Sequence, residues 1–280
     1  METIGVIGLG IIGTPWAARY QAAGKLAGVW NRTPKPEAPA WKATAREVTE
    51  AADITHIVVA DPPAVSAVLD AILPALRKGK AVVQSSTIDP ASAASFEARV
   101  CATGAHYVES PFTGSKPAAE AGTLVFFMGG QAAALDAVEP LLAVVSETRF
   151  RLPTVGQAAA LKLAMNLNIA GQMQALSESL TCARQAGIDD DFFFQVLAKN
   201  VSYSGLARLK ETKLKTRDYA PQFSVKHMHK DMRLAEAASK TRLPLLRAVR
   251  ECLARAEAQG MADDDFSSLI RLLDLGTAGR

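Results

Sequence analysis

Lys162, which could act as an acid or base, and Asn166, whose amide could hydrogen-bond beside it, lie four positions apart in the segment 155–187. This segment has no proline and is rich in Ala, Leu, Met, Gln and Glu, so we predict one helix of about eight turns. Its apolar residues occur around the whole helix, which predicts that most of its sides are covered. Side chains four apart share a helix face. A lysine there could be held for catalysis, or it could simply extend to water.

A second chemical pattern is the sequence GLGIIG, which follows a β-rich run at 3–7 and precedes a helical pattern through residue 23. Strand, glycine turn and helix in this order are typical of a dinucleotide-binding fold. The first glycine permits a tight turn, the second lets a pyrophosphate approach the backbone, and the third allows close packing of helix on strand. The phosphates would bind the free amides at the helix start. The residues assigned to this loop are Gly8, Leu9, Gly10, Ile11, Ile12 and Gly13.

The end of the next predicted strand, 26–30, indicates which dinucleotide binds. NAD sites usually place an acidic residue there for the ribose hydroxyl, whereas NADP sites place arginine and small polar residues. This chain has Asn31, Arg32 and Thr33, and its first acidic residue after them is Glu37. We therefore predict NADP(H), with Arg32 pairing with the 2′-phosphate. The alternative is that Arg32 is an exposed loop arginine without a ligand.

Strands and helices continue to alternate up to residue 154. Strands are predicted at 54–60, 81–84, 106–109, 122–128 and 147–152, and helices at 43–51, 64–77, 91–103 and between the last two strands. This order predicts a Rossmann-type doubly wound parallel sheet, whose ligands gather at the carboxyl ends of the strands. Hydroxyl groups and accessible amides at 85–87 and 110–115 suit a carboxylate or phosphate. On this ground we assign Asp61 and Pro62 to the cofactor, and Ser110 and Ser115 to the substrate.

Beyond residue 154 the alternation stops. The rest of the chain predicts the long helix followed by helices at 190–199, 204–215, 224–240, 244–259 and 264–273. A length of 280 residues allows two domains. We predict a dinucleotide-binding α/β domain at 1–154 and an all-helical domain at 155–280, which begins with the long helix.

Composition narrows the possible partners. The hydrophobic fraction is 49%, the charged fraction 21% and the net charge +3, with no basic run, so we predict neither a nucleic-acid nor a membrane partner. Cys101, Cys182 and Cys252 are far apart and odd in number, which predicts no disulfide framework and no metal. The four histidines lack ligand spacing, and we expect them at the surface or at helix ends. With no room for a leader before the first strand, we predict a cytoplasmic location.

The ordered motifs resemble those of the β-hydroxyacid dehydrogenase family, which includes hydroxyisobutyrate dehydrogenase and the glyoxylate or succinic semialdehyde reductases. The resemblance covers nearly the whole chain. The motifs that carry it are GLGIIGTP with VWNRT, SSTIDP, ESPFTGS, the Gly156, Lys162 and Asn166 spacing, KDMRLA and GMADDDFS. The run GSKPAAEAGTL and the VWNRT ending are most similar to the glyoxylate and succinic semialdehyde reductase branch, which uses NADPH.

This resemblance implies an oxidoreductase that interconverts a small carboxylate-bearing aldehyde or ketone and its hydroxyacid. Lys162 would be the general acid or base, stabilising charge on the carbonyl oxygen and exchanging its proton, and Asn166 would orient the substrate. The family pattern also implies a homodimer in which the long helix and helical domain complete the partner's cleft. The remaining implied contacts are Thr113 and Gly114 to the substrate carboxylate, and Thr87 and Lys230 to the cofactor.

Four positions depart from the family pattern. Thr113 replaces a usual serine, Ser115 and Ala158 replace usual glycines, and Met165 lies where asparagine is common. The altered 113–115 region could admit an imine, so an imine reductase on the same fold is one alternative, although such enzymes commonly lack the lysine. A non-enzymatic dimer that senses NADPH is another, and the intact Lys162 and Asn166 pair argues against it.

Overall fold

The computed structural model describes residues 1–274. By contacts the chain divides into a first unit, Met1–Leu163, and a second unit that begins at Ala164. Residues 155–163 of the long helix therefore group with the first unit. The domain boundary at residue 154 stays a prediction of the sequence.

The first unit contains an eight-stranded sheet. Its order is β2-β1-β3-β4-β5-β7-β6, with β8 paired to β7. The strands are β1 Ile4–Ile7, β2 Leu26–Trp30, β3 Ile54–Ile57, β4 Ala81–Gln84, β5 His106–Glu109, β6 Phe112–Thr113, β7 Leu124–Gly129 and β8 Ser146–Leu152. The helices are α1 Gly13–Ala22, α2 Ala45–Ala51, α3 Pro62–Ile72, α4 Pro90–Cys101, α5 Lys116–Ala121 and α6 Ala132–Leu142, with a 3-10 turn at Leu73–Ala75.

Strand periodicity explains why helices cover both faces of this sheet. Successive side chains of a strand point to opposite faces. Ile4 and Val6 of β1 belong to one hydrophobic core with Trp16 of α1. Ile7 belongs to a second core with residues of α2, α3 and α4, among them Val65. The predicted doubly wound fold is confirmed.

The structure differs from the predicted sheet after β5. Strand β7 is antiparallel to both β5 and β6, although β8 is again parallel to β7. A parallel return needs a crossover of about a dozen residues or more, and the segment between β6 and β7, residues 114–123, is shorter than that. Helix α5 lies in this segment and had no counterpart among the predicted elements.

The second unit is helical among the described residues. It contains most of α7 Val155–Gln185, followed by α8 Asp190–Leu197, α9 Gly205–Thr216, α10 Val225–Ala238 and α11 Pro244–Ala258. The predicted helix at 264–273 is instead a 3-10 helix, Phe266–Ile270, and a short α12, Arg271–Asp274. The Asp265 carboxylate accepts hydrogen bonds from the backbone N–H and hydroxyl of Ser267. These bonds make Asp265 the N-cap of the 3-10 helix, which therefore begins two residues later than predicted.

Helix α7 spans 31 residues, as expected for a helix of about eight turns. Its buried residues include Leu163 in the first unit and Met173 and Leu180 in the second. One face of the helix, rich in small residues, is exposed, whereas most of its other residues are buried or half-buried, as the sequence predicts. The exposed residues of this face include Ala160, Ala164, Ala175 and Ser179.

Candidate functional site

The glycine loop after β1 has the geometry that a pyrophosphate requires. Gly8 has φ of +102°, a conformation that favours glycine, and a Cβ there would lie 2.0 Å from the Val58 carbonyl oxygen. A Cβ at Gly13 would lie 1.8 Å from the Gly8 oxygen, so this position needs glycine for close packing. A Cβ at Gly10 would meet nothing within 4 Å, and Gly10 is exposed. The loop therefore leaves open space beside Gly10, just before the start of α1.

Two polar side chains hold this loop to the end of β2. The Leu9 N–H donates to the Asn31 amide oxygen over 2.9 Å, and the Asn31 amide nitrogen donates to the Thr33 carbonyl over 2.8 Å. The Lys35 ammonium donates to the Leu9 carbonyl over 2.8 Å. Arg32 and Thr33 are exposed next to these contacts. Asn31 thus links the two segments, while Arg32 and Lys35 place two cations at the end of β2.

The ends of β3 and β4 are joined by short hydrogen bonds. The Asp61 carboxylate caps α3 by accepting from the Ala64 N–H over 2.9 Å, and Pro62 occupies the first helical position. The Val59 N–H donates to the Ser86 hydroxyl over 2.8 Å. Thr87 follows and is half-buried. These contacts give Asp61 a structural role, and the cofactor contacts of all three predicted residues here stay predictions.

The loop after β5 presents three of the four predicted substrate residues with partial or full exposure. Thr113 and Ser115 are half-buried, whereas Gly114 is exposed and has φ of +118°. Ser110 is fully buried, and within residues 1–274 its hydroxyl has no hydrogen-bond partner. Its position favours a role through its backbone rather than through direct contact with a ligand.

Lys162 lies near this loop within the first unit. Its Nζ is 5.7 Å from the centroid of the Phe112 ring, and the side chain is half-buried. An ammonium at this distance is attracted by the ring face, by about 0.5 to 1 kcal/mol at exposed sites. Phe112 immediately precedes Thr113 in β6, so the amine and the predicted carboxylate-binding residues belong to one local group.

Asn166 forms a second cluster in the helical unit. Its amide nitrogen donates to the Asp231 carboxylate over 2.5 Å, and both side chains are buried. The Lys230 ammonium lies 2.9 Å from the other oxygen of that carboxylate, outside hydrogen-bonding geometry. The bond from Asn166 sets the orientation of its amide. Lys162 and Asn166 lie one turn apart on the continuous helix α7.

A buried acid lies at the end of β5, beside the substrate loop. Glu109 is fully buried and accepts from the Tyr107 hydroxyl over 2.7 Å and from the Gln84 amide over 2.9 Å. Desolvation raises the pKa of Glu109 to about 8 against the opposing effect of these donors. This shift favours the neutral carboxyl group in the folded protein at pH 7.

The described part of the chain contains neither a metal-binding cluster nor a membrane-spanning helix. Within residues 1–274, three or more His, Cys, Asp or Glu side chains are nowhere grouped so that they could hold a metal ion. No helix in the same range combines the length and apolarity needed to cross a membrane.

Three residues at these sites were missed or misjudged from the sequence. Lys35 was missed, although a second cation three residues after Arg32 was a usable signal. Asp231 was given no role from the sequence, but it is buried and its carboxylate accepts the hydrogen bond from Asn166. The expectation of surface or helix-end histidines was wrong for His56, which is fully buried in β3.

The geometry and donor set fit a dinucleotide. Comparison with family models gives two matches, one on each side of residue 156. Residues 3–156 match the NAD-binding domain of 6-phosphogluconate dehydrogenase. Residues 156–273 match the NAD-binding domain of NADP-dependent 3-hydroxyisobutyrate dehydrogenase.

Relatives of known activity match over nearly the full chain. Glyoxylate/succinic semialdehyde reductase 2 of Arabidopsis thaliana is 31% identical over 97% of this chain and 79% of that protein. The 2-hydroxy-3-oxopropionate reductase of Escherichia coli is 31% identical over 97% of each. The crystal structure of 3-hydroxyisobutyrate dehydrogenase from Salmonella typhimurium superposes with a TM-score of 0.88 at 26% identity, over 97% of this chain and all of that one.

Imine reductases share the fold. One from Myxococcus stipitatus superposes with a TM-score of 0.66 at 20% identity, over 97% of this chain and 99% of that one. At this identity the likeness concerns the fold alone and carries no statement about the substrate.

Proposed function

Because the chain belongs to the 3-hydroxyisobutyrate dehydrogenase-like family and is an NAD(P)-dependent hydroxyacid dehydrogenase, we propose that it uses NADPH to reduce small carboxylate-bearing aldehydes or ketones. Glyoxylate and succinic semialdehyde are the first candidates, since a relative named for both matches nearly the whole chain. The observation that carries the proposal is the Lys162 amine, 5.7 Å from the Phe112 ring and beside the Thr113 loop.

In this proposal Lys162 is the general acid of the reduction. Bound NADPH supplies a hydride to the carbonyl carbon. The Lys162 ammonium lies beside the carbonyl oxygen, stabilises the charge that develops there and then donates its proton. In the oxidation direction the neutral amine accepts the hydroxyl proton. Positioned general acids contribute roughly 100- to 10,000-fold in rate.

Asn166 orients the substrate, and its own orientation is held by Asp231. An asparagine amide can both donate and accept, so a rotated amide would present the wrong group. The 2.5 Å bond from the Asn166 amide nitrogen to the Asp231 carboxylate selects one of the two orientations. Charge-assisted bonds of this kind are among the stronger ones in proteins.

The substrate carboxylate is bound by the loop at 113–115. Thr113 offers a hydroxyl and Gly114 an accessible backbone N–H, which are donors that suit a carboxylate. The positive φ of Gly114 is a conformation that a larger residue would adopt only with strain. Ser115 and Thr113 replace the family's smaller residues, so they set the shape of the substrate pocket.

Arg32 and Lys35 favour NADPH over NADH. Both cations lie at the end of β2, and Arg32 is exposed and able to form a paired contact with a 2′-phosphate. Arg32→Asp should reverse or abolish the preference for NADPH, measured as the ratio of kcat/KM for the two cofactors. Arg77→Asp is the matched control, because it makes the same change of charge at an exposed position elsewhere in the first unit.

A substrate panel tests the proposed function. NADPH oxidation is measured with glyoxylate, succinic semialdehyde, 2-hydroxy-3-oxopropionate, an uncharged aldehyde and a cyclic imine. Turnover of at least one carboxylate-bearing aldehyde well above the uncharged aldehyde and the imine is expected. Turnover confined to the imine would replace the proposal by an imine reductase. NADPH binding without turnover of any carbonyl compound would favour a non-enzymatic dimer.

The exposed face of α7 supports a homodimer. Small residues such as Ala164 and Ala175 allow close approach of another helix, and Phe192 and Val196 of α8 are 56% and 54% exposed. Sedimentation equilibrium should give twice the mass of one chain, and Ala175→Arg should lower it to the mass of a monomer. A cytoplasmic location is part of the same proposal, since the structure leaves all three cysteines unpaired.

A further inference from the structure

A chain of polar groups crosses the interior of the first unit from α1 to the substrate loop. The Tyr20 hydroxyl lies 3.4 Å from Nδ1 of His56, and Nε2 of His56 lies 2.8 Å from the Ser85 hydroxyl. The Ser85 hydroxyl donates to the Ser110 carbonyl over 2.6 Å. All four residues are at most 1% exposed. This series of hydrogen bonds therefore connects the middle of the sheet to Ser110, the first residue of the substrate loop.

Only one assignment of donors and acceptors fits this series of hydrogen bonds. The hydrogen of the Ser85 hydroxyl is used on the Ser110 carbonyl, so the Ser85 oxygen accepts from Nε2–H of His56. His56 is then neutral, with its hydrogen on Nε2, and Nδ1 accepts from the Tyr20 hydroxyl. Because all three hydrogen bonds run in the same direction, each bond polarises the next one.

Ring packing joins His56 to the loop by a second route. The Trp16 indole stacks on the His56 ring with centroids 4.3 Å apart, and it meets the Phe112 ring edge-on at 5.2 Å. Phe112 is the residue whose ring lies under the Lys162 amine. The His56 side chain thus contacts Ser85, which is bonded to Ser110, and Trp16, which packs on Phe112.

Packing alone does not require a histidine at this place. An apolar residue of similar shape in the centre of a sheet would avoid the cost of burying two ring nitrogens. The polar chain is directional and ends on a backbone carbonyl, so its effect is to fix the position of that carbonyl. Ser110 N–H is already bonded to the Gln84 carbonyl, so the bond from Ser85 constrains the other side of the Ser110 residue.

We propose that His56 is a positioning residue for the substrate. Acting through Ser85, it holds the Ser110 carbonyl and, with it, the loop that presents Thr113 and Gly114 to the substrate carboxylate. This inference rests on the proposed function of that loop. His56 itself touches neither substrate nor cofactor in the proposal.

The test compares a carboxylate-bearing aldehyde with an uncharged one of the same chain length, succinic semialdehyde and butanal. His56→Phe retains an aromatic ring against Trp16 and removes both nitrogen contacts. Ser85→Ala removes the hydroxyl that connects His56 to the Ser110 carbonyl. Each variant should raise KM for succinic semialdehyde about tenfold, the effect of losing roughly one hydrogen bond. The kcat/KM for butanal should change less than twofold.

A double variant and a matched control complete the design. If His56 acts through Ser85, His56→Phe with Ser85→Ala should be no worse than the more affected single variant. Thr55→Val is the control, because it removes a buried hydroxyl contact to Thr49 from the same strand without touching the chain to Ser110. It should leave the preference for the carboxylate unchanged. Should His56→Phe fail to fold, His56→Leu, which also removes both nitrogen contacts, takes its place in the single and double variants.

Four outcomes would overturn the inference. Equal losses on both aldehydes, together with a lower melting temperature, would mean that His56 only packs the core. Additive losses in the double variant would mean that His56 does not act through Ser85. If the wild type prefers the carboxylate-bearing aldehyde and both variants keep that preference, this inference alone is overturned. If the wild type itself lacks the preference, the proposed function is overturned as well.

Discussion

Replacing Glu109 by glutamine should change how stability depends on pH. Glu109 is fully buried at the end of β5, with Tyr107 and Gln84 as its donors. Desolvation raises its pKa from the ordinary 4.5 to about 8. Glutamine has the same size and no charge at any pH. It can still accept from Gln84 and can donate to the Tyr107 oxygen.

Proton linkage gives the sign and size of the pH effect on the free energy of unfolding. Between pH 4.5 and 8 the folded state keeps the Glu109 proton while the unfolded state has lost it. The stabilisation from this group is complete below pH 4.5 and is lost as pH rises, at about 1.4 kcal/mol per pH unit. At pH 8 the loss is about 4 kcal/mol, and at pH 5 it is under about 1 kcal/mol. Glu109→Gln removes this dependence.

Denaturant unfolding of both proteins from pH 5 to pH 8 measures the effect. The free energy of unfolding of Glu109→Gln, relative to wild type, should increase by about 3 kcal/mol over this range. A constant offset at all pH values would reflect altered hydrogen bonds only. Glu147→Gln, at an exposed position, is the control and should give a flat difference. Parallel pH profiles for Glu109→Gln and wild type would refute the reasoning.

Four further perturbations test other parts of the structure. Gly10→Ala should weaken NADPH binding in a fluorescence titration without lowering the melting temperature, since the added methyl group meets no protein atom within 4 Å. Gly13→Ala should lower the melting temperature, because its methyl group would lie 1.8 Å from a carbonyl oxygen. Asp265→Ala should reduce the free energy of unfolding by about 3 to 5 kcal/mol in urea, because it leaves the buried Lys210 ammonium without its carboxylate at 2.8 Å. Burial lowers the pKa of His56 to about 3, so urea titrations should show stability falling from pH 6.5 toward pH 3, and less steeply in His56→Phe.

The sequence predicted those parts of the fold that have a strong period or an obvious turn. The bounds of β2, β4 and β5 were predicted correctly, because each of these short runs is followed directly by a polar segment. Strand β6 and helix α5 were missed. A strand of two residues has no measurable alternation, and a helix of six residues offers less than two turns of pattern.

The site could be predicted only where local motifs dictate geometry. The glycine loop is such a case, because each glycine has its own steric reason. The partner of Asn166 is 65 residues away in Asp231, and no local pattern indicates that pairing. The burial of His56 was also missed, since a strand in the centre of a sheet has two covered faces and so shows no alternation that would expose it.

The role of Lys162 as general acid is tested by the turnover of Lys162→Ala with the best aldehyde of the panel, with NADPH affinity measured on the same sample. We expect a kcat about 100 to 10,000 times lower, NADPH binding within a few-fold of wild type, and no change in Lys78→Ala, an exposed control in the same unit. Near-normal kcat in Lys162→Ala would mean that Lys162 is not the general acid.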